Sequence, residues 1–242
     1  MTLHFRATGG SRSPVTAEPF STTGMNTLFP TSLTHPAVKI CGIRTGEQAE
    51  AIIAAGADAL GINFYPKSKR FIALDEALPW LKEIGAVVPR VAVTVNASDD
   101  ELKQIAESGG IDWIQLHGNE TSNRVASLAQ QGLPVFRAMG VKDEAMLNEA
   151  AAFPGTTLLL DAYAPTEYGG SGETMDWTLG AQAVQQWTDR QIILAGGLVP
   201  GNVAEAVKQV QPAGVDVASG VESEPGVKDL TLVRAFIEAA RG

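Results

Sequence analysis

Between Val38 and the C-terminus, eight short apolar runs alternate with eight amphipathic stretches, and no segment is left over for a second domain. The chain has 242 residues, which is a usual size for a barrel built from eight such units. Parallel strands that are buried on both faces produce near-continuous apolar runs of this kind. The sequence therefore predicts an α/β protein, a single (β/α)8 TIM barrel over residues 38–242.

The predicted strands are short, and several are almost wholly apolar. In chain order they are Val38–Cys41, Ala59–Phe64, Arg90–Asn96, Trp113–His117, Pro134–Met139, Thr157–Asp161, Gln191–Ala195 and Gly214–Ala218.

The predicted helices follow these strands one by one, and several begin at capping residues such as Ser98 and Thr121. They are Gly46–Ala55, Leu74–Ile84, Asp99–Ser108, Thr121–Gln131, Asp143–Ala152, Thr178–Trp187, Asn202–Val210 and Leu230–Arg241. An open doubly wound sheet is the alternative. It calls for a G-x-G-x-x-G loop after the first strand, and Cys41-Gly42-Ile43-Arg44 does not have that form.

Residues 1–37 differ in composition from the rest of the chain. The first 36 residues contain twelve Ser or Thr, four Pro and a single acidic residue, without apolar periodicity. This composition predicts a disordered N-terminal extension, with a targeting segment or a later start at Met25 as alternatives.

Composition excludes several classes of function. The net charge of −9 and the absence of a basic patch disfavour a nucleic-acid partner, and no apolar run is long enough to span a membrane. A single cysteine cannot form an internal disulfide or a thiolate-rich zinc site, and it fits a reducing, cytoplasmic compartment. Two of the three histidines lie in the extension, so no metal site is expected.

In a barrel of this kind, chemistry is carried by residues at the C-terminal ends of the strands. Cys41 ends the first strand, and Lys39 points to the same face because side chains alternate along a strand. A neighbouring ammonium is expected to lower the pKa of the thiol. Cys41 is therefore a candidate general base or nucleophile, and a small buried packing residue is the alternative.

The loop after the second strand is cationic, with Lys67, Lys69 and Arg70 close together. Because the planar guanidinium can bind both oxygens of a carboxylate, Arg70 is the candidate for an anion site. An ordinary solvated loop is the alternative. At the end of the fourth strand, His117 is either an acid–base group or a structural hydrogen-bonding residue.

Asp161 ends the most apolar strand, where a carboxylate is unfavourable unless it is paired or faces a cavity. It is a candidate general acid. The seventh and eighth strands are followed by Gly196-Gly197 and by Ser219-Gly220. Small residues at these two positions predict a phosphate site, because the loops after these strands commonly bind phosphate in such barrels.

Taken together, these blocks resemble the phosphoribosylanthranilate isomerase family over about 205 residues, from Val38 to the C-terminus. The resemblance is carried by Lys39-Ile40-Cys41-Gly42, Pro66-Lys67-Ser68-Lys69-Arg70, Gln115-Leu116-His117-Gly118, Asp161, Gly169-Gly170-Ser171-Gly172, Asp176-Trp177, Leu194-Ala195-Gly196-Gly197-Leu198 and the segment from Gly214 to Glu222.

The resemblance implies a cofactor-free Amadori rearrangement of N-(5-phosphoribosyl)anthranilate in tryptophan biosynthesis. It implies Asp161 as general acid, Cys41 as general base and Arg70 as the ligand of the anthranilate carboxylate. It further implies three residues at the phosphate, and it gives Asp216 a less definite contact with the substrate or the loops. The implied phosphate residues are Gly197, Ser219 and Gly220. The expected oligomeric state is a monomer or a homodimer.

Two departures from the commonest family pattern, Ser171 in place of Thr and Ala218 in place of Ser, both keep a small side chain. The main alternative is a related phosphoribosyl isomerase of the histidine pathway, which uses a carboxylate where this chain has Cys41. Indole-glycerol-phosphate synthase needs a lysine- and glutamate-rich site that the strand ends do not supply. A non-catalytic sugar-phosphate sensor is disfavoured because both Cys41 and Asp161 are present.

Overall fold

The computed structural model describes residues 27–163 and 174–242, and it confirms the predicted barrel. Eight parallel strands form a closed ring in chain order, with the first strand pairing the eighth. The strands are β1 (Ala37–Cys41), β2 (Ala59–Asn63), β3 (Arg90–Thr94), β4 (Trp113–Leu116), β5 (Val135–Val141), β6 (Thr157–Ala162), β7 (Gln191–Leu194) and β8 (Gly214–Val217).

A helix follows each of these strands, as predicted, and most differ from their predicted bounds by one or two residues. The helices are α1 (Gly46–Ala54), α2 (Leu74–Ile84), α3 (Asp99–Glu107), α4 (Ser122–Gln130), α5 (Glu144–Ala151), α6 (Trp177–Gln186), α7 (Val203–Val210) and α8 (Leu230–Arg241). Ser98 and Thr121 accept hydrogen bonds from backbone N–H groups of α3 and α4, so both predicted caps are confirmed.

Two short strands between β8 and α8 were not predicted. β9 (Glu222–Glu224) and β10 (Val227–Lys228) pair antiparallel and form a hairpin. Both are too short and too polar to give an apolar alternation, although Pro225-Gly226 between them is a turn signal. A 3-10 turn at Ser219–Val221 links this hairpin to β8.

The apolar core has two layers, as the alternation of side chains on buried strands requires. The larger cluster lies between the strands and the helices. The smaller one fills the lower barrel interior, and its members include Ala37, Val91, Phe136, Leu159 and Ile193.

The predicted boundary of the N-terminal extension is wrong for the residues just before β1. Leu28 and Phe29 are buried within the interior cluster and close the N-terminal end of the barrel. The backbone of Phe29 donates to the Gln191 side chain at 3.0 Å and accepts from it at 2.8 Å. An isolated apolar pair in a polar segment has no periodicity, so composition concealed it. Residues 1–26 lie outside the described residues, and their assignment stays a prediction.

Candidate active site

A cavity of about 680 Å³ opens at the C-terminal ends of the barrel strands. Seven residues that the sequence analysis proposed for the site line its wall, although they come from five different strand–helix units. They are Cys41, Arg70, Asp161, Gly197, Asp216, Ser219 and Gly220.

Cys41 lies on the interior face of β1, two residues after Lys39 and four after Ala37, which packs in the interior cluster. Its partner in the β1–β2 register is Gly61. A Cβ atom at Gly61 would lie 2.7 Å from the Cys41 Sγ, closer than side chains pack. The thiol therefore occupies space that the glycine leaves open.

Burial raises the pKa of the Cys41 thiol above its ordinary value, because a thiolate is poorly solvated there. The positive charge of Lys39 is the strongest opposing influence, Asp216 adds to the increase, and Lys228 and Arg70 oppose it more weakly. The expectation that the pKa of Cys41 is lowered is therefore wrong in its net direction. The contribution of Lys39 has the expected sign, but desolvation outweighs it.

Lys39 is fully buried, and its Nζ donates to Asp216 Oδ1 at 2.7 Å. Burial disfavours the charged amine, but the attraction of Asp216 and of Cys41 prevails and raises the pKa of Lys39. An ammonium that is charged at neutral pH thus lies beside the thiol. Asp216 lines the cavity and also holds this ammonium.

Asp161 enters the cavity from β6, on the far side of the barrel from Cys41. Its Oδ1 accepts from the Ala162 N–H at 2.8 Å, and its Oδ2 lies 3.5 Å from His117 Nε2. His117 Nδ1 is 3.2 Å from the amide nitrogen of Gln115, which only donates. The His117 ring thus lies between the Gln115 amide and the Asp161 carboxylate.

Arg70 reaches the cavity from the loop after β2 by crossing directly over Gly42. Gly42 has φ +87°, and a Cβ atom there would overlap the Arg70 side chain. The Arg70 guanidinium donates from Nε and from Nη2 to the two carboxylate oxygens of Glu222, each at 2.8 Å. A carboxylate of the protein itself therefore occupies one edge of the guanidinium.

Lys228, on β10, completes this group. Its Nζ donates to Glu222 Oε1 at 2.6 Å and to the Ala218 carbonyl at 2.9 Å. Burial would raise the pKa of Glu222, but hydrogen bonds from Arg70 and Lys228 lower it on balance. Burial lowers the pKa of Lys228, and Glu222 offsets only part of that effect.

The sequence did not predict that Glu222 contacts Arg70 and Lys228 at the cavity. Glu222 stood at the end of a quoted block without an assigned role, and Lys228 lies on the hairpin that the apolar pattern did not reveal. Their pairing depends on the register of β9 with β10, which places the two residues opposite each other. A Pro-Gly turn between two charged residues was the only available signal.

The loops after β7 and β8 both line the cavity wall, and they approach each other closely there. Gly196 and Gly197 have φ of +85° and +60°, a region that glycine adopts readily. A Cβ atom at Gly220 would overlap the Leu198 carbonyl oxygen. These two loops can approach each other this closely only because the residue at position 220 is glycine.

The Gly169–Gly172 part of the predicted site lies outside the described residues. Within residues 27–163 and 174–242, no group of three or more His, Cys, Asp or Glu side chains could hold a metal ion. In the same residues, no helix is long and apolar enough to cross a membrane.

A closed (β/α)8 barrel that gathers a thiol, carboxylates and cations around a cavity at the C-terminal ends of its strands has the layout of a barrel enzyme. Comparison with known proteins defines the type further. The family model for N-(5'phosphoribosyl)anthranilate (PRA) isomerase matches residues 38–239. The chain therefore belongs to the phosphoribosylanthranilate isomerase family.

Individual relatives agree with this assignment. The N-(5'-phosphoribosyl)anthranilate isomerase of Chlorobium chlorochromatii is 42% identical over 216 residues, covering 86% of this chain and 99% of the relative. The crystal structure of the Thermotoga maritima enzyme is 38% identical with a TM-score of 0.74, covering 85% of this chain and 98% of that one. A second crystal structure, of a phosphoribosylanthranilate isomerase in complex with reduced 1-(o-carboxyphenylamino)-1-deoxyribulose 5-phosphate, is 35% identical, with a TM-score of 0.71 and coverage of 85% of this chain and 98% of that one.

Proposed function

We propose that this protein isomerises N-(5'-phosphoribosyl)anthranilate to 1-(2-carboxyphenylamino)-1-deoxyribulose 5-phosphate, an Amadori rearrangement in tryptophan biosynthesis. The main support is that Cys41 and Asp161 enter one cavity from distant strands, together with Arg70 and the small-residue loops. A relative was solved with a reduced form of this product, so a ligand of that chemistry fits a site of this kind.

In the proposed mechanism, Asp161 donates a proton to the furanose ring oxygen, and the sugar opens to a Schiff base. Its Oδ2 lies 3.5 Å from His117 Nε2, and a proton on that nitrogen would stabilise the negative charge left after the proton transfer. The aspartate then needs a proton from solvent or substrate before the next turnover.

Cys41 then acts as the base that removes a proton from C2 of the sugar, and the resulting enolamine tautomerises to the ketone. The raised pKa of Cys41 means that the thiolate is a minor species in the free protein at neutral pH. It is also a stronger base than an ordinary thiolate, and the Lys39 ammonium beside it stabilises its charge. Substrate isomerisation at neutral pH would use this minor but reactive form.

The two charged groups of the substrate would bind at different parts of the cavity wall. We assign the anthranilate carboxylate to Arg70 and the phosphate to backbone N–H groups of Gly197, Ser219 and Gly220. The 3-10 turn at Ser219–Val221 follows β8, where barrels of this type commonly hold phosphate. Asp216 would act mainly through Lys39, which it holds at 2.7 Å.

We further propose that the protein works in the cytoplasm on this small phosphorylated substrate, without a nucleic-acid or membrane partner, as a monomer or a homodimer. One related Thermotoga maritima enzyme is described as dimeric. Light scattering on the purified full chain would distinguish a mass of 25.4 kDa from twice that value.

The test is a steady-state assay on freshly generated phosphoribosylanthranilate, in which turnover is followed as loss of substrate fluorescence. We expect Cys41→Ala and Asp161→Asn each to lose at least about a hundredfold in kcat, or ~2.7 kcal/mol of transition-state stabilisation. Glu149→Gln removes a charge from an exposed position on α5 and serves as the control that keeps full activity.

Undiminished turnover in Cys41→Ala would make the thiol a packing residue and remove the base from the mechanism. Absence of turnover in the unmodified protein would contradict the substrate assignment itself.

A further inference from the structure

Glu222 contacts Arg70, the proposed ligand of the substrate carboxylate, through both of its carboxylate oxygens. The inference drawn from this contact rests on the proposed function. We propose that Glu222, fixed by Lys228, is a positioning residue that orients the Arg70 guanidinium for the carboxylate of the substrate. Glu222 would thereby determine how strongly the enzyme prefers a ligand that carries an ortho carboxyl group.

The argument begins with the shape of the guanidinium, which has two edges that can bind a carboxylate in a planar, two-point manner. Glu222 occupies the edge formed by Nε and Nη2, with both distances at 2.8 Å. The edge formed by Nη1 and the second Nη2 hydrogen is a separate one. A guanidinium clamped along its inner edge presents that outer edge in a single orientation, ready for a second carboxylate.

Glu222 is itself held on two sides. Its Oε1 accepts from both Arg70 Nε and Lys228 Nζ, and Lys228 is anchored in turn to the Ala218 carbonyl. The Glu222 and Lys228 side chains are 4% and 0% exposed. The hairpin register that places Glu222 opposite Lys228 therefore fixes the carboxylate before any ligand arrives.

An alternative explanation is that Glu222 stands in for the substrate carboxylate and leaves when the substrate binds. Burial argues against this, because departure of Glu222 would leave the fully buried Lys228 ammonium without its carboxylate. Arg70 would also lose the contact that defines its direction. The observed contacts thus favour a Glu222 carboxylate that stays on Arg70 over one that the substrate displaces.

The remaining support comes from the stem of Arg70. It passes over Gly42, where a side chain would overlap it, and its backbone N–H donates to the Ser68 hydroxyl at 3.1 Å. These contacts fix where the side chain starts and the route that it takes. They leave the rotation of the terminal guanidinium free, and the Glu222 carboxylate supplies that last constraint.

The experiment measures inhibition by two ligands, the reduced product analogue with its ortho carboxyl group and the same compound without it. The inhibition constant of the compound without the carboxyl group, divided by that of the compound with it, gives a ratio that reports how much the carboxyl group contributes to binding. We expect Glu222→Gln, which keeps the shape of the side chain, to reduce this ratio about tenfold, since one charge-assisted contact is replaced by a poorly matched one. Melting temperatures and the Glu149→Gln control accompany the assay.

A double-mutant cycle with Arg70→Gln tests whether Glu222 acts through Arg70. We expect Glu222→Gln to have no further effect on the ratio once Arg70 is replaced. If Glu222→Gln does not yield folded protein, Glu222→Asp keeps the charge but shifts the carboxylate by one methylene, and a reduced ratio is again expected.

Three results would overturn the inference. An unchanged ratio with a lowered melting temperature would make Glu222 a purely structural residue. A ratio that increases would mean that Glu222 competes with the ligand for Arg70. If Glu222→Gln reduced the ratio equally in the presence and in the absence of Arg70, Glu222 would not act through Arg70. Failure of the proposed function is distinguishable, because the unmodified protein would then neither turn over the substrate nor discriminate between the two analogues.

Discussion

Lys39 and Asp216 are register partners across the seam where β1 meets β8, and their side chains form an ion pair of 2.7 Å inside the barrel. The pair joins the first strand to the last directly beneath the Cys41 thiol. Its ammonium is the strongest of the positive charges that favour the thiolate. The same contact therefore bridges the two strands that close the barrel and influences the acid–base properties of Cys41.

Replacing Lys39 with Met should shift the activity of the enzyme toward alkaline pH. Without the ammonium the pKa of Cys41 rises further, so the ascending limb of log kcat/KM against pH should move to higher pH and activity at neutral pH should fall. The double variant with Asp216→Asn avoids an unpaired buried carboxylate and should retain an alkaline shift. A limb that stays in place in both variants would contradict Cys41 as the titrating base.

The free energy of unfolding should decrease as pH rises past 9.0, the ordinary value for a thiol. The folded-state pKa values of Cys41 and Lys39 are both raised, so the native state retains protons that the unfolded chain has released. The stabilising contribution of Lys39 is therefore complete below pH 10.5, the ordinary pKa of a lysine, and it is lost as pH rises through the folded-state pKa.

Urea unfolding at a series of alkaline pH values measures this decrease. Cys41→Ser should lack the part that begins near 9.0 and keep the part that belongs to Lys39. A free energy of unfolding that is constant across this range would contradict the raised pKa values.

Gly42→Ala should damage carboxylate recognition more than stability. The new methyl group would overlap the Arg70 side chain and displace its guanidinium, so KM should increase at least about tenfold, as expected when a charge-assisted pair is lost. Gly132→Ala is a matched control, because Gly132 has φ +84° against +87° for Gly42 and nothing lies near its missing Cβ atom. Both variants should lose about 1–2 kcal/mol of stability to backbone strain.

Equal values of KM in these two variants would mean that Arg70 adapts to the added methyl group, and Gly42 would then matter only for its backbone conformation.

Phe29→Ala should destabilise the barrel without slowing the reaction. Phe29 is 1% exposed at the N-terminal end of the barrel, far from the cavity, so we expect a loss of about 3–5 kcal/mol in the free energy of unfolding and an unchanged kcat. Thr31→Ala, two residues further along the same segment, alters an exposed side chain and should change stability by less than about 0.5 kcal/mol. Urea denaturation compares the two, and similar values would mean that the segment does not support the core.

Much of the fold could be predicted because parallel strands buried on both faces leave a strong apolar pattern, and all eight were found close to their observed bounds. The placement of residues at strand ends could also be predicted from the sequence, since alternation along β1 puts Lys39 and Cys41 on one face. The pKa of Cys41 could not be inferred in the same way. Sequence proximity reveals the neighbouring charge, but desolvation depends on packing from other strands, including that around Gly61.

The same limit applies to contacts made between distant segments. The pairing of Arg70 with Glu222 joins residues 152 positions apart through a hairpin of two short polar strands. Phe29 and Gln191 exchange hydrogen bonds across 162 positions. Neither contact leaves a periodic trace, because one turn or one apolar pair is too short to establish a period.

The location of Glu222 and Lys228 on a hairpin outside the eight-stranded ring has an evolutionary consequence. On the proposed role of Glu222, substitutions in this hairpin would change which acidic ligand is preferred, while the eight barrel strands with Cys41 and Asp161 keep their sequence. The residues that set selectivity and the strands that build the barrel would therefore occupy separate segments of the chain. A duplicated copy of the gene could explore new ligands through a handful of changes between β8 and α8 and still inherit a barrel that folds.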